Sequence, residues 1–305
     1  MKKIPLTIIA GPTGIGKSSL AMQIAENIGT DLISADSRQV YKYFDVGTAK
    51  PTKEEQRMIK HHLIDLREPT EIFAVAEYLK LVKPLIEDIN QDGKMPLIVG
   101  GTGLYIKTLV EGFSIPEVES LPDLRKKLVK EAEEYGNAVI YQRAKEIDPE
   151  AMTRIHENDI IRVIRVLEVF ENTGKLFSSL RVRASEPIYD LTYICLDMDR
   201  EKLYTRIGQR VEQMFEQGLL DEVKSIIEKY GSDLQLLKTI NYRETREHLL
   251  GNLNLEETKE LMKKNTRNFA KRQLTWFRND PLITFMNAET KEDINKIVKL
   301  LCNLS

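Results

Sequence analysis

Apolar and polar residues change their period along this chain, and the changes mark out its elements. Leu6 to Ala10 is a short continuous apolar run, which reads as a buried strand. Lys17 to Ile28 spaces its apolar residues three and four apart, the period of a helix, and Gly29 supplies the stop. A second strand is expected at Asp31 to Ala35, running into Asp36-Ser37. A third, Met95 to Val99, ends in Gly100-Gly101-Thr102-Gly103 and another helix. Strands alternating with helices predict an α/β fold with a parallel sheet flanked by helices, whose ligands lie beyond the carboxyl ends of the strands. The polar clusters Thr13 to Ser18, Asp36-Ser37 and Gly100 to Thr102 are therefore expected to converge.

From about Phe113 the texture becomes proline-punctuated and then helical as far as Thr173-Gly174, which predicts an all-helical insertion domain over residues 114–187. Tyr189 to Met198 returns to a strand, and charged helices follow from Arg200 to about Arg278. Leu282 to Met286 is the expected last strand, and Lys291 to Leu301 the closing helix. The core domain is thus expected to comprise residues 1–113 and 188–305. No internal repeat or low-complexity tract interrupts it.

Composition narrows the function classes. The 305 residues are 42% hydrophobic, enough for real cores, and the formal net charge of −2 argues against a uniformly basic nucleic-acid binder while leaving room for a local basic patch. Cys195 and Cys302 are too few and too far apart for a disulfide framework or a cysteine metal site, which fits a reducing, cytoplasmic compartment. MKKIPLTIIAG begins like a signal peptide, but its apolar run passes directly into a glycine loop without a cleavage site. No run of 18 apolar residues exists, so no membrane span is expected.

Gly11-Pro12-Thr13-Gly14-Ile15-Gly16-Lys17-Ser18 satisfies G-x-x-x-x-G-K-[ST] between a strand and a helix, so backbone N–H groups and the helix N-terminus can bind phosphate oxygens. Lys17 supplies a point charge and Ser18 a hydroxyl for Mg²⁺. The motif leaves open whose phosphates these are. Asp36 sits where an acid could hold Mg²⁺, act as a general base, or simply cap a turn. Leu261 to Asn279 contains six Lys or Arg and no acid. At about 100° per residue Lys263, Arg267, Lys271 and Arg278 share one arc, with Met262, Phe269 and Trp276 opposite, so the expectation is phosphates on one side and Trp276 as a core anchor, in preference to a base-stacking platform, on the other, with a merely solvated basic helix as the plain alternative. The four histidines show no metal-ligand spacing, and His61-His62 reads as structural.

The chain resembles the bacterial tRNA dimethylallyltransferases, also called tRNA isopentenyltransferases. The resemblance is carried by GPTGIGKS (Gly11 to Ser18), LISADSRQVYKYFDVGTAKP (Leu32 to Pro51), HHLID (His61 to Asp65), PLIVGGTGLYIKTLVEG (Pro96 to Gly112), RIHENDIIRVIRVLEVFENTGK (Arg154 to Lys175) and KRQLTWFR (Lys271 to Arg278). One departure is Ile240-Asn241-Tyr242-Arg243-Glu244, where a glycine is expected at position 241.

The resemblance implies a P-loop NTPase-like core and transfer of a dimethylallyl group from dimethylallyl diphosphate to N6 of adenine 37, beside the anticodon of tRNA. It implies Asp36 as proton acceptor, Thr102 near the reacting base, and Lys17 with Arg210 on the leaving diphosphate, Arg206 being the neighbouring candidate. It implies a splayed-out base read by Asp36, Ser37, Arg38 and Gln39. The anticodon stem-loop would also meet Arg125, Arg162, Arg165, Tyr242, Arg243, Lys271, Arg272 and Arg278. Thr102 as a helix cap, and the arginines as snorkelling or ion-paired groups, are the plain alternatives. Mg²⁺ is the expected cofactor and a monomer the expected state. A P-loop kinase, or an enzyme prenylating free adenine nucleotides, remains the rival reading.

Overall fold

The first apolar run folds as β1 (Ile4–Ala10), buried from Leu6 onward. It is joined by β2 (Leu32–Ala35), β3 (His61–His62), β4 (Leu97–Gly100), β5 (Tyr189–Asp197) and β6 (Thr284–Asn287) in one sheet of order β3-β2-β4-β1-β5-β6. Every pairing is parallel. The computed structural model describes residues 3–113, 118, 121–180 and 187–303. It divides into two compact units, Met1–Leu109 with Ile188–Ser305, and Val110–Pro187. Residue 114, where the sequence places the start of the insertion, lies outside the described residues.

In the first unit α1 (Lys17–Ile28), α2 (Lys53–Met58), α3 (Val75–Gln91) and α4 (Gly103–Val110) accompany the first four strands. Not among the expected elements are α3, whose buried Tyr78, Leu79, Val82, Ile86 and Ile89 keep a helical spacing around an internal Pro84, and β3, which at two residues is too short for a period to register. The expected strand at 282–286 forms two residues later, at Thr284–Asn287. His62 Nε2 lies 2.9 Å from Asp31 Oδ2 beside the edge strand, a structural contact. Among the described residues no helix is long and apolar enough to cross a membrane.

The charged stretch after β5 breaks into α9 (Arg200–Glu216), α10 (Leu219–Tyr230), α11 (Tyr242–Leu249) and α12 (Leu255–Arg278), and the chain's last helix is α13 (Lys291–Cys302). Two cores result. One packs α1, α9 and α13 on the sheet through Ile9, Leu20, Ile24, Leu196, Ile207 and Ile297. The other binds the loop after β2, through Val40, Tyr41 and Phe44, to Val211, Leu237 and Met262 of the helical layer.

The second unit contains α5 (Pro122–Tyr135), α6 (Asn137–Ile147), α7 (Pro149–Met152) and α8 (Ile160–Thr173) around Leu128, Ile140, Val163 and Leu167. Glu168 is fully buried there and accepts from Leu121 N (2.8 Å), Arg125 and Arg165. Burial alone would raise this carboxyl, but the two guanidinium groups outweigh it and hold the group down at about 2. An uncompensated charge in that position would be costly, so the pair of arginines is required for Glu168 to be buried at all.

Candidate active site at the carboxyl ends of the strands

Strand register sets the site. Ala10 pairs with Gly100 and Gly100 with Ala35, so β1, β4 and β2 end at one level and release three loops side by side. The glycine loop precedes α1, whose N-cap Gly16 takes a left-handed φ of 101° and offers no side-chain cap. The first N–H groups of α1 are thereby left for an external anion.

Cations gather on this loop. Lys17 Nζ donates to Pro12 O at 2.8 Å. From α9, Arg206 reaches Ile15 O at 3.2 Å, and Arg210, one turn on, reaches Thr13 Oγ1 at 3.4 Å. Burial, reinforced by the positive charge of Arg210, pushes Lys17 down to about 8, with Asp36 partly opposing. Burial likewise lowers Arg210, again opposed by Asp36. Both arginines thus face the loop that the sequence marks for phosphate. The arrangement is electrostatically complementary to a diphosphate.

Asp36 closes a tight turn. Its Oδ1 accepts from Arg38 N (2.8 Å) and Gln39 N (3.3 Å), while Oδ2 has no partner among the described residues. Capping thus occupies Oδ1 and leaves Oδ2 open. Thr102 N donates to Ala35 O at 3.0 Å, and Thr102 Oγ1 accepts from Ser37 N at 3.0 Å. The threonine hydroxyl keeps its own proton to donate. The bond fixes Thr102 beside the Asp36 turn, so two adjacent strand ends present a carboxylate oxygen and a hydroxyl together.

Four residues that organise the site escape sequence reading. Gln273 of α12 accepts from Thr13 N (2.9 Å) and donates to Gly101 O (2.9 Å), tying two of the three loops to one helix. Glu222 of α10 accepts the backbone N–H groups of Asp45 (3.1 Å), Val46 (2.7 Å) and Gly47 (3.1 Å), and the hydroxyl of Tyr242 (2.7 Å). Asn241 Nδ2 donates to Gly47 O at 2.8 Å. Lys50, its ammonium buried, donates to Tyr41 O (2.7 Å), Asp45 (2.5 Å) and Asp65 (2.6 Å). Glu222, Asn241 and Lys50 together fix residues 45–50 as a wall of a cavity of about 830 Å³ that also takes in Gly14, Lys17, Ser18, Met22 and Arg210. Gln39 joins that wall to the Asp36 turn by donating to Ala49 O at 3.2 Å.

Several expected RNA contacts need correction. Tyr242 is 1% exposed and packs on Phe44 and Gly47; a Cβ on Gly47 would lie 2.5 Å from the tyrosine ring, so this side chain cannot meet tRNA. Trp276 is not a core anchor, being 37% exposed, and Phe277 fills the core instead. Lys263 does not face outward to phosphates, because it is paired with Glu212 and Glu260 at 2.8 Å each, and Arg267 lies over the Tyr204 ring. Lys264, Lys271, Arg272 and Arg278 are exposed cations of α12, Arg278 lying 3.4 Å from Asp197. Arg243 pairs with the buried Glu244. In the helical unit Arg125 and Arg165 are committed to Glu168, while Arg162 is exposed beside Asp159.

A profile of the IPP transferase family matches residues 39–280. The chain belongs to the IPP transferase family. A tRNA dimethylallyltransferase from Carboxydothermus hydrogenoformans is 44% identical over 96% of this chain and 95% of its own length. One from Symbiobacterium thermophilum is 41% identical over 99% and 95%. Among solved structures, the full-length tRNA isopentenylpyrophosphate transferase of Bacillus halodurans superposes with a TM-score of 0.72 at 38% identity, covering 99% of this chain and 96% of that one. A eukaryotic dimethylallyltransferase captured acting on tRNA gives 0.79 at 29% identity, covering 97% and 77%. Members of the family are enzymes, and this chain is a prenyltransferase of that kind. The parallel α/β architecture expected from the alternation of strands and helices is the architecture of the family.

Proposed function

We propose that the chain, acting as a monomer in the cytoplasm, transfers the dimethylallyl group of dimethylallyl diphosphate to N6 of adenine 37 in the anticodon stem-loop of tRNA. The observation that carries this reading is the level ending of β1, β4 and β2, which sets a diphosphate cradle beside the Asp36–Thr102 pair.

N6 attacks the allylic carbon as the bond from that carbon to the bridging oxygen breaks, and diphosphate leaves with the electron pair. Asp36 takes the proton from N6 through Oδ2, since Oδ1 is held by the turn. Thr102 holds the adenine edge through its hydroxyl. Lys17, Arg206, Arg210 and the N–H groups of the glycine loop receive the charge that develops on the leaving diphosphate. Mg²⁺ fits the donor set. Ser18 offers an exposed hard oxygen at the start of α1, and no cluster of three His, Cys, Asp or Glu stands among the described residues to hold a metal alone, so substrate oxygens and water would complete its shell. Bound there, the ion would neutralise diphosphate charge.

The test is incubation with unmodified tRNA, free AMP and labelled dimethylallyl diphosphate in Mg²⁺. Label is expected on tRNA; label on AMP alone sinks the reading. Asp36→Asn is expected to lower kcat at least a hundredfold while leaving tRNA affinity within about threefold. A loss of affinity in place of turnover would make Asp36 a base-holding group.

A further inference from the structure

Trp276 is the only tryptophan of the chain, and it stands at the rim of the proposed base site. Its indole lies flush on Gly103, the first residue of α4. A Cβ built there would come within 2.3 Å of both Cδ1 and Nε1. Gly103 follows Thr102 directly, and one turn back along α12 Gln273 donates to Gly101 O, so the helix is pinned to this loop at two successive points. Phe277, the next residue, is fully buried, which leaves Trp276 about 100° away on a different face, 37% exposed. Lys107 Nζ stands 5.9 Å from the ring centroid, and Lys271 and Arg272 are exposed on the same helix.

We infer that Trp276 is a stacking platform for an RNA base flanking the reacting adenine, an inference that rests on the proposed function. Splaying one base out of an anticodon loop leaves its neighbours without a stacking partner. An exposed indole recovers that stacking for any base, because every base has a π-face, and the surrounding cations suit the phosphates on either side. Gly103 matters here because any side chain would push the ring off the rim. The residue binds substrate, with no part in proton or group transfer.

A lone tryptophan makes the test direct. Saturating the protein with an unmodified anticodon stem-loop is expected to quench its fluorescence, and an abasic site at one of the two positions flanking the adenine is expected to abolish the quench. Trp276→Ala is expected to weaken stem-loop binding about tenfold with KM for dimethylallyl diphosphate unchanged, and Trp276→Phe to restore most of it. Fluorescence that does not respond to saturating stem-loop, or a quench that survives both abasic substitutions, overturns the inference. Wild-type protein that prenylates tRNA while its fluorescence stays unmoved refutes only the role of Trp276. Wild-type protein that prenylates no RNA refutes the proposed function instead.

Discussion

Lys17 is held where burial works against its own charge, and that makes it a pH-sensitive part of the cradle. Its folded pKa of about 8 lies below the ordinary lysine value of 10.5. The buried charge therefore costs stability below pH 8, and the cost is relieved as pH rises from about 8 toward 10.5. A bound diphosphate reverses the balance by favouring the ammonium form. Binding of dimethylallyl diphosphate is expected to weaken as pH rises above 8 and to take up a proton in that window. Calorimetry at pH 8.5 in buffers of different ionisation enthalpy measures the uptake, which Lys17→Arg should remove. Asn241 is one of several non-glycine residues held at positive φ. It has φ 70° and ψ −43°, a region where an L-residue pays of order 1–2 kcal/mol, and its side chain offsets this by donating to Gly47 O and accepting from Thr266 Oγ1. The glycine expected at 241 would meet the backbone demand without the side-chain bonds. Asn241→Ala should therefore lower the melting temperature more than Asn241→Gly, because alanine keeps the strain and loses both bonds. Equal losses would contradict this account.

At the scale of elements, α10 and α12 act as supports for loops that lie far away in sequence. Glu222 gathers three consecutive N–H groups and the Tyr242 hydroxyl on two oxygens, all donors. An amide in its place would turn an NH₂ toward donors and leave at least one unsatisfied, at about 1–3 kcal/mol. Glu222→Gln should thus raise KM for dimethylallyl diphosphate several-fold through the displaced 45–50 wall, with KM for tRNA little changed. Steady-state kinetics with each substrate varied in turn checks the split. On α12, the double change Lys271→Ala and Arg272→Ala should flatten the salt dependence of tRNA binding, read from affinities at several salt concentrations.

These same elements show where the sequence was legible. The strand–loop–helix at Gly11 to Ser18 announces itself because its apolar run, glycines and helical period are contiguous. The buried face of α12 does not. It runs through Thr258, Met262, Thr266, Ala270, Gln273 and Phe277, half of them polar, so charge alone set the expected arc and put Trp276 inside where Phe277 belongs. Tyr242 misled for another reason. Its burial depends on Gly47, nearly two hundred residues earlier, a contact that no local pattern records. Gln273 and Glu222 are invisible likewise, since their partners are backbone atoms of distant loops.

For the molecule as a whole, the sheet explains why a phosphate loop associated with nucleotide use can serve carbon transfer. Parallel strands ending at one level put the cradle, the Asp36 turn and Thr102 at one edge, and α9 adds two arginines to the cradle. The acidic overall balance, with a formal charge of −2, leaves RNA attraction to local exposed cations such as Lys264, Lys271 and Arg272. The central claim is that the bond broken lies between carbon and oxygen, with both phosphorus atoms untouched. Dimethylallyl diphosphate carrying oxygen-18 in the bridge between carbon and phosphorus tests it. Mass spectrometry after a single turnover with tRNA should find the heavy oxygen in released diphosphate and the five-carbon group on adenine. Heavy oxygen in free dimethylallyl alcohol, with the diphosphoryl group transferred to the RNA, would contradict it.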